Sequence, residues 1–152
     1  MSNPDFHLDQ NIRIDNQRCA GIVLNGESVL FMYRKKNDRE FYVIPGGHMQ
    51  ENEDPIETLK REVMEEASIT VKNVKLAFEF KDYLKENFDY YYLCEYQDGT
   101  LQLGGEESQK NSPENVYEIK WVKFSDISEL NILPKAAKEW IQETLVEKKL
   151  KF

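Results

Sequence analysis

Three apolar runs open the ordered pattern of the chain. Cys19 to Leu24 is small and aliphatic, Asn25-Gly26 supplies two residues that accept positive φ, and Ser28 to Tyr33 is apolar again. That predicts a hairpin closed by a two-residue turn. The third run, Phe41 to Ile44, stops at Pro45-Gly46-Gly47. Asp54-Pro55-Ile56-Glu57 then combines a capping aspartate, a proline fit for the first helical position and a glutamate placed to close a capping box. Ile56, Leu59, Val63 and Ala67 follow at helical spacing and predict the buried stripe of that helix. Lys75 to Lys81 alternates, which puts Leu76, Phe78 and Phe80 on one face of a strand, and the tyrosine-rich segment Phe88 to Tyr96 predicts another. Gln97 to Asn115 is polar, glycine-bearing and too long for a plain hairpin, so it reads as a functional or mobile loop. Tyr117 to Phe124 predicts a strand, and Pro134 to Glu147 a helix with Ala137, Trp140, Ile141 and Leu145 as its core face. Strands, one inserted helix, more strands and a last helix predict an α/β fold, a mixed sheet covered by helices.

No repeat, low-complexity tract or flexible linker interrupts this order, so residues 1–152 read as a single domain. The composition, 40% hydrophobic and 32% charged, agrees with a globular core. The net charge of −8 speaks against a protein that grips duplex DNA or an anionic membrane, because phosphate contacts need clustered Lys and Arg. It leaves a small phosphorylated ligand open, provided a metal ion screens the charge. Met1 to Gln10 shows no basic stretch followed by an apolar run, so no signal peptide is expected, and no segment approaches 18 apolar residues, so no membrane span is expected. Cys19 and Cys94 lack any metal or disulfide spacing and read as buried thiols of a cytoplasmic protein.

The chemistry lies between Gly46 and Ile69. Glu62, Glu65 and Glu66 fall within one arc of the predicted helix, where three carboxylates repel one another unless a cation sits among them. Alone, such a face in a glutamate-rich chain is simply solvated. The residues around it change that reading. Gly47, five residues, Glu53, seven residues, then Arg61-Glu62-Val63-Met64-Glu65-Glu66-Ala67-Ser68-Ile69 resembles the signature box of the Nudix hydrolases, with eight of the nine constrained positions matched over residues 47–69. Chance would supply such a match in roughly one chain in 10⁵ or fewer.

The resemblance implies an α/β/α sandwich and a metal-dependent hydrolase that cleaves the diphosphate linkage of a nucleoside diphosphate joined to another group, by water attack at phosphorus. On that reading Glu62, Glu65 and Glu66, with Gly47, hold Mg²⁺ or Mn²⁺, since hard oxygen donors suit these ions. Gly46 and Gly47 let the backbone approach the diphosphate, and Arg61 reaches back with its planar fork to hold Glu53 and nearby loop carbonyls. Glu53, Arg61, Glu62, Glu65 and Glu66 form the expected catalytic set. Three positions depart from the pattern: Ser68 replaces the box glycine, Asn52 an often-glycine position, and Gln50 a frequent glutamate.

Outside the box, Arg34 is a candidate phosphate contact at the end of the second strand, as basic residues there are in MutT-like relatives, and an exposed strand-end cation is the equal alternative. His48 reads as a surface histidine. Tyr90 to Tyr92, Trp121 and Trp140 read as packing rather than base-stacking residues. The general base is either a box glutamate or one of Glu106, Glu107 and Glu114 in the long loop. The small chain resembles the MutT-like branch, which acts on nucleoside triphosphates. The ADP-ribose branch tends to carry a proline some sixteen residues past the box, and no proline lies between Pro55 and Pro113. The alternatives are an ADP-ribose or nucleotide-sugar pyrophosphatase, or a non-catalytic nucleotide sensor. A sensor is expected to have lost one of the three glutamates, and all three are present. Monomer and homodimer are equally open.

Overall fold

The computed structural model describes residues 16–147. Met1 to Gln10, on which the expectation of no leader rests, lies outside them. The eight strands are β1 (Gln17–Asn25), β2 (Ser28–Lys36), β3 (Arg39–Val43), β4 (Gly46–His48), β5 (Thr70–Asp82), β6 (Asn87–Asp98), β7 (Asn115–Lys123) and β8 (Ile132–Leu133). The helices are α1 (Pro55–Ala67), α2 (Gly105–Lys110) and α3 (Lys135–Ile141), which runs on in wider turns over Gln142–Glu147. A 3₁₀ turn spans Phe124–Glu129.

The strands form one curled, mixed sheet in the order β5-β6-β1-β2-β3-β8. β1 pairs in parallel with β6 from Gln17↔Phe88 to Leu24↔Glu95. On its other edge β1 meets β2 only at Leu24↔Val29 and Asn25↔Ser28, across the Asn25-Gly26 turn. β2 runs antiparallel to β7 along its whole length and to β3 from Met32 to Lys36.

Both faces of the sheet are covered, which is why its central strands are apolar without interruption. Cys19 and Val23 of β1 and Phe88, Tyr90, Tyr92 and Cys94 of β6 pack with Leu59, Val63 and Ala67 of α1. The alternate residues Ala20, Ile22, Leu24, Tyr91 and Leu93 pack with Ala137, Ile141 and Leu145 behind them. α1 and α3 therefore lie on opposite faces, giving the α/β/α layering expected from the sequence. Ile56 and Trp140 complete their stripes as partly buried residues. α1 comes so close to β1 that a Cβ on Gly21 would collide with Leu59.

One expectation fails for a local reason. Leu76, Phe78 and Phe80 do not share a face: Leu76 packs on the α1 side, while Phe78 and Phe80 join the α3 side. A β-bulge lies between them, since Leu76 faces Tyr92 and Phe78 faces Tyr91, so two steps along β5 match one along β6. That single inserted residue reverses the alternation. Phe78 then stacks on Tyr91 with centroids 4.5 Å apart. Tyr90, Tyr91 and Tyr92 are all at most 2% exposed, so all three are packing residues. The segment 97–115 is likewise more ordered than a loop, because it contains the end of β6 and the whole of α2.

Candidate active site

Gly46 to His48 form a strand because the chain, leaving β3 through Ile44-Pro45, crosses to the open lower edge of β1. There Gly46 pairs with Ala20, Gly47 with Cys19 and His48 with Arg18. The approach is tight. A Cβ on Gly46 would strike the Cys19 carbonyl and the Ala20 Cα, and one on Gly47 would fall inside the Glu62 carboxylate. The loop that follows turns at Asn52, whose φ of 70° asparagine tolerates. It enters α1 with Asp54 accepting from the Glu57 amide at 2.9 Å and Pro55 in the first turn.

Arg61 ties this loop to the helix. Its Nε donates to Glu53 Oε2 at 2.6 Å, and its Nη2 to Glu53 Oε1 at 3.0 Å and to the His48 carbonyl at 3.2 Å. Thr58 Oγ1 and the Gln50 amide also donate to Glu53 Oε1, each at 2.9 Å. The guanidinium, with this set of donors, holds the Glu53 carboxyl at about 2, well below its usual range. The remaining nitrogen, Nη1, donates to Glu62 at 2.8 Å and to Glu65 at 3.2 Å.

Glu62, Glu65 and Glu66 line one cleft of about 890 Å³ together with Gly46, Gly47 and the first turn of α2. Their environments differ. Glu65 keeps half of its side-chain surface in solvent. Burial raises Glu62 against the pull of Arg61. Glu66 is nearly enclosed, and burial, reinforced by the like charges of Glu62 and Glu107, pushes it up to about 8 despite Arg18 and the Gly46 amide that donates to it. Its second oxygen, Oε2, is buried with no hydrogen-bond partner among the described residues, an expensive arrangement for a carboxylate.

Of the long-loop glutamates, the structure brings two to the cleft. Glu106 and Glu107 line it from α2, but Glu106 turns outward to Lys110 at 3.3 Å while Glu107 bears on Glu62 and Glu66. Glu114 lies in the turn just before β7, with its carbonyl accepting from the Asn37 amide. Arg34 is not at the cleft. It donates to Asn115 Oδ1 and to the Val116 carbonyl, and its guanidinium lies 3.7 Å over the Tyr117 ring. His48 is exposed at the cleft rim, and Gln50 lines it. Two parts escaped the sequence reading: β4, which has no apolar residue to announce it, and the strap Gln102–Gly105 that leads into α2, whose one signal is the Gly104-Gly105 pair.

The side chains suit a divalent cation. The glutamates offer hard oxygen donors, and the Glu66 oxygen beside Glu62 that no described residue satisfies is what such an ion would take up. Among the described residues the carboxylates are not drawn into a ready-made metal group, since Arg61 holds Glu62 and Glu65.

A family model described as the NUDIX domain matches residues 15–144. The chain belongs to the Nudix family. Nudix proteins are hydrolases of pyrophosphate bonds that generally use divalent metals and act on small nucleotides. Among solved structures, a MutT protein from Bacillus halodurans is 29% identical, with a TM-score of 0.59 over 86% of this chain and 82% of that one. A Nudix hydrolase from Nitrosomonas europaea is 18% identical and superimposes with a TM-score of 0.69 over 97% of this chain and 78% of that one. A curated relative, the NAD-capped RNA hydrolase NudC of Pectobacterium carotovorum, is 21% identical over 82% of this chain. The chain spans 45% of that relative's length. Among its described residues no helix is long and apolar enough to cross a membrane.

Proposed function

We propose that this Nudix protein is a Mg²⁺-dependent (or Mn²⁺-dependent) pyrophosphohydrolase acting on a nucleoside triphosphate by water attack at phosphorus. The observation that carries the reading is the Glu66 carboxylate, enclosed beside Glu62 with an oxygen that no described residue satisfies, at the wall of a polar cleft. Glu62, Glu65 and Glu66, with the Gly47 backbone, are the residues that would hold the ion. When bound, it supplies charge neutralisation at the diphosphate and a more acidic water.

The chain's own contribution is positional. Gly46, without a side chain, seats β4 against β1, and Gly47 leaves room for the Glu62 carboxylate, so the β4 backbone lies beside the place for the substrate's diphosphate. Arg61 fixes the 48–53 loop to α1, so β4 and the three glutamates keep one geometry. Arg61 also shares its charge with Glu62 and Glu65, which lowers their mutual repulsion. Glu65, with half of its side chain in solvent, and Glu107, which lines the cleft from α2, are the groups open to accept a proton from the attacking water. Arg34 is engaged with β7, so its place in substrate binding depends on release from Asn115 and Tyr117.

The test is a panel of nucleoside triphosphates, oxidised purine triphosphates, ADP-ribose, NAD, dinucleoside polyphosphates and nucleotide sugars with Mg²⁺, with products identified directly. A triphosphate cleaved far faster than the rest, with activity lost to chelator and restored by Mg²⁺ or Mn²⁺, is the expected result. Preference for ADP-ribose, NAD or a nucleotide sugar would reassign the substrate, and chelator-resistant turnover would defeat the mechanism. Tight binding of a nucleotide without turnover would make the protein a sensor.

A further inference from the structure

Where the Nudix box has glycine, this chain has Ser68, and Ser68 takes the glycine's conformation. Its φ is 62°, and its amide donates to the Met64 carbonyl at 3.0 Å, closing the end of α1. A side chain in the left-handed region carries a steric cost that glycine avoids. The same side chain makes a contact that glycine cannot: Ser68 Oγ donates to the Gln102 carbonyl at 3.1 Å.

Around that contact the strap is stitched to the helix end. The Gln102 amide donates to the Ala67 carbonyl at 3.1 Å and the Gly104 amide to the Glu66 carbonyl at 3.2 Å, which fills acceptors a helix terminus leaves bare. Gly104 passes so close over the Glu65 carbonyl that a Cβ there would strike it, and Gly105, at φ 62°, turns the chain into α2. α2 has no buried residue to fix it. Its far end is held to β7 by Asn111, which exchanges hydrogen bonds with Tyr117 at 2.9 and 3.2 Å. Its near end, which carries Glu107, is joined to the strap at Gly104 and Gly105.

We propose that Ser68 is a positioning residue: through Gln102 it clamps the near end of α2 onto the C-terminus of α1 and so fixes Glu107 across the cleft from Glu62 and Glu66. This rests on the reading of those glutamates as the reacting cluster.

Ser68→Gly is the informative variant because it removes the steric cost and the clamp together. A merely structural serine predicts gain or no change throughout. The positioning role predicts a thermal midpoint at or above that of the unsubstituted protein, but amide exchange in residues 105–110 faster by roughly three- to tenfold, the weight of one hydrogen bond. It also predicts kcat with Mg²⁺ and a nucleoside triphosphate lower by a similar factor, with KM changed less. Ser68→Asn, which accepts the left-handed region and brings an amide donor, should recover part of both losses. Unchanged exchange over 105–110 in Ser68→Gly overturns the clamp. Faster exchange with unchanged kcat overturns the positioning role. If the unsubstituted protein cleaves no triphosphate, the proposed function fails and the positioning role with it, while the exchange result still decides the clamp.

Discussion

Replacing Arg61 by alanine tests whether the loop before α1 is held by one guanidinium. Glu53 is held at about 2 against an ordinary 4.5, a difference equivalent to at most about 3 kcal/mol of stability. The pair is not sealed from water, with 22% of the Arg61 and 14% of the Glu53 side chain exposed, so about half of that is the reasonable share. The lost bonds to the His48 carbonyl and to Glu62 add about 1 kcal/mol. Arg61→Ala should therefore cost about 2–3 kcal/mol at pH 7. Glu53 has a folded pKa below its unfolded one, so its contribution is complete above about pH 4.5 and is lost as pH falls towards 2. Urea unfolding at pH 7, 5 and 3 reads this directly. The gap between parent and variant should hold from pH 7 to 5 and narrow clearly by pH 3. A gap independent of pH would refute the assignment of the stabilisation to the Glu53 carboxylate. Arg61→Lys keeps the charge without the fork and should recover less than half of the loss.

Three further predictions follow from the same cleft and core. Glu65→Gln or Glu66→Gln should lower turnover by several orders of magnitude while the circular dichroism spectrum and melting cooperativity are kept; near-normal turnover would remove that residue from the proposed metal site. Glu107→Gln should slow turnover far more than Glu106→Gln, since of the two Glu107 bears on Glu62 and Glu66; no effect of Glu107→Gln would assign the base to the box, and equal losses would refute the distinction between the two. Cys19 and Cys94, both fully buried and pushed up to about 12 by burial, should resist Ellman's reagent in the native protein for hours and react at once in denaturant; rapid labelling of either would show that the sheet opens there.

What could be read from residues alone was whatever depends on neighbours in sequence. Asp54, Pro55 and the 56-59-63-67 stripe define α1 because capping and helical spacing are local. The Asn25-Gly26 hairpin is legible for the same reason. The bulge beside Ala77 was not, because it is set by which tyrosine of β6 each β5 residue faces. β4 was invisible because a Gly-Gly-His strand has no hydrophobic period; only the edge of β1 makes it one. Arg34 looked like a free cation until β7, some eighty residues on, supplied Asn115 and Tyr117. The distinction between Glu106 and Glu107 likewise needs the strap, whose bonds to Ala67 and Glu66 link parts of the chain more than thirty residues apart.

The cleft lies where it does because β1 changes partners along one edge. Its upper end pairs with β2 and its lower end with β4, and between them the Gly21 amide turns to the Pro45 carbonyl at 2.9 Å. β2 and β3 thus part from β1 there, and Gly46-Gly47 enters the opening with its backbone against α1. The glycines are required from both sides, by the Cys19 carbonyl behind Gly46 and the Glu62 carboxylate before Gly47. A Gly46→Ala chain must therefore push β4 off β1 rather than shift a side-chain tip, and should lose about 3 kcal/mol or more of stability together with its activity. Gly47→Ala meets only the movable end of Glu62. It should cost far less stability at pH 7 yet lower turnover as severely as loss of that glutamate. Comparable melting temperatures for the two variants would contradict this division between a glycine that seats the strand and one that leaves room for a carboxylate.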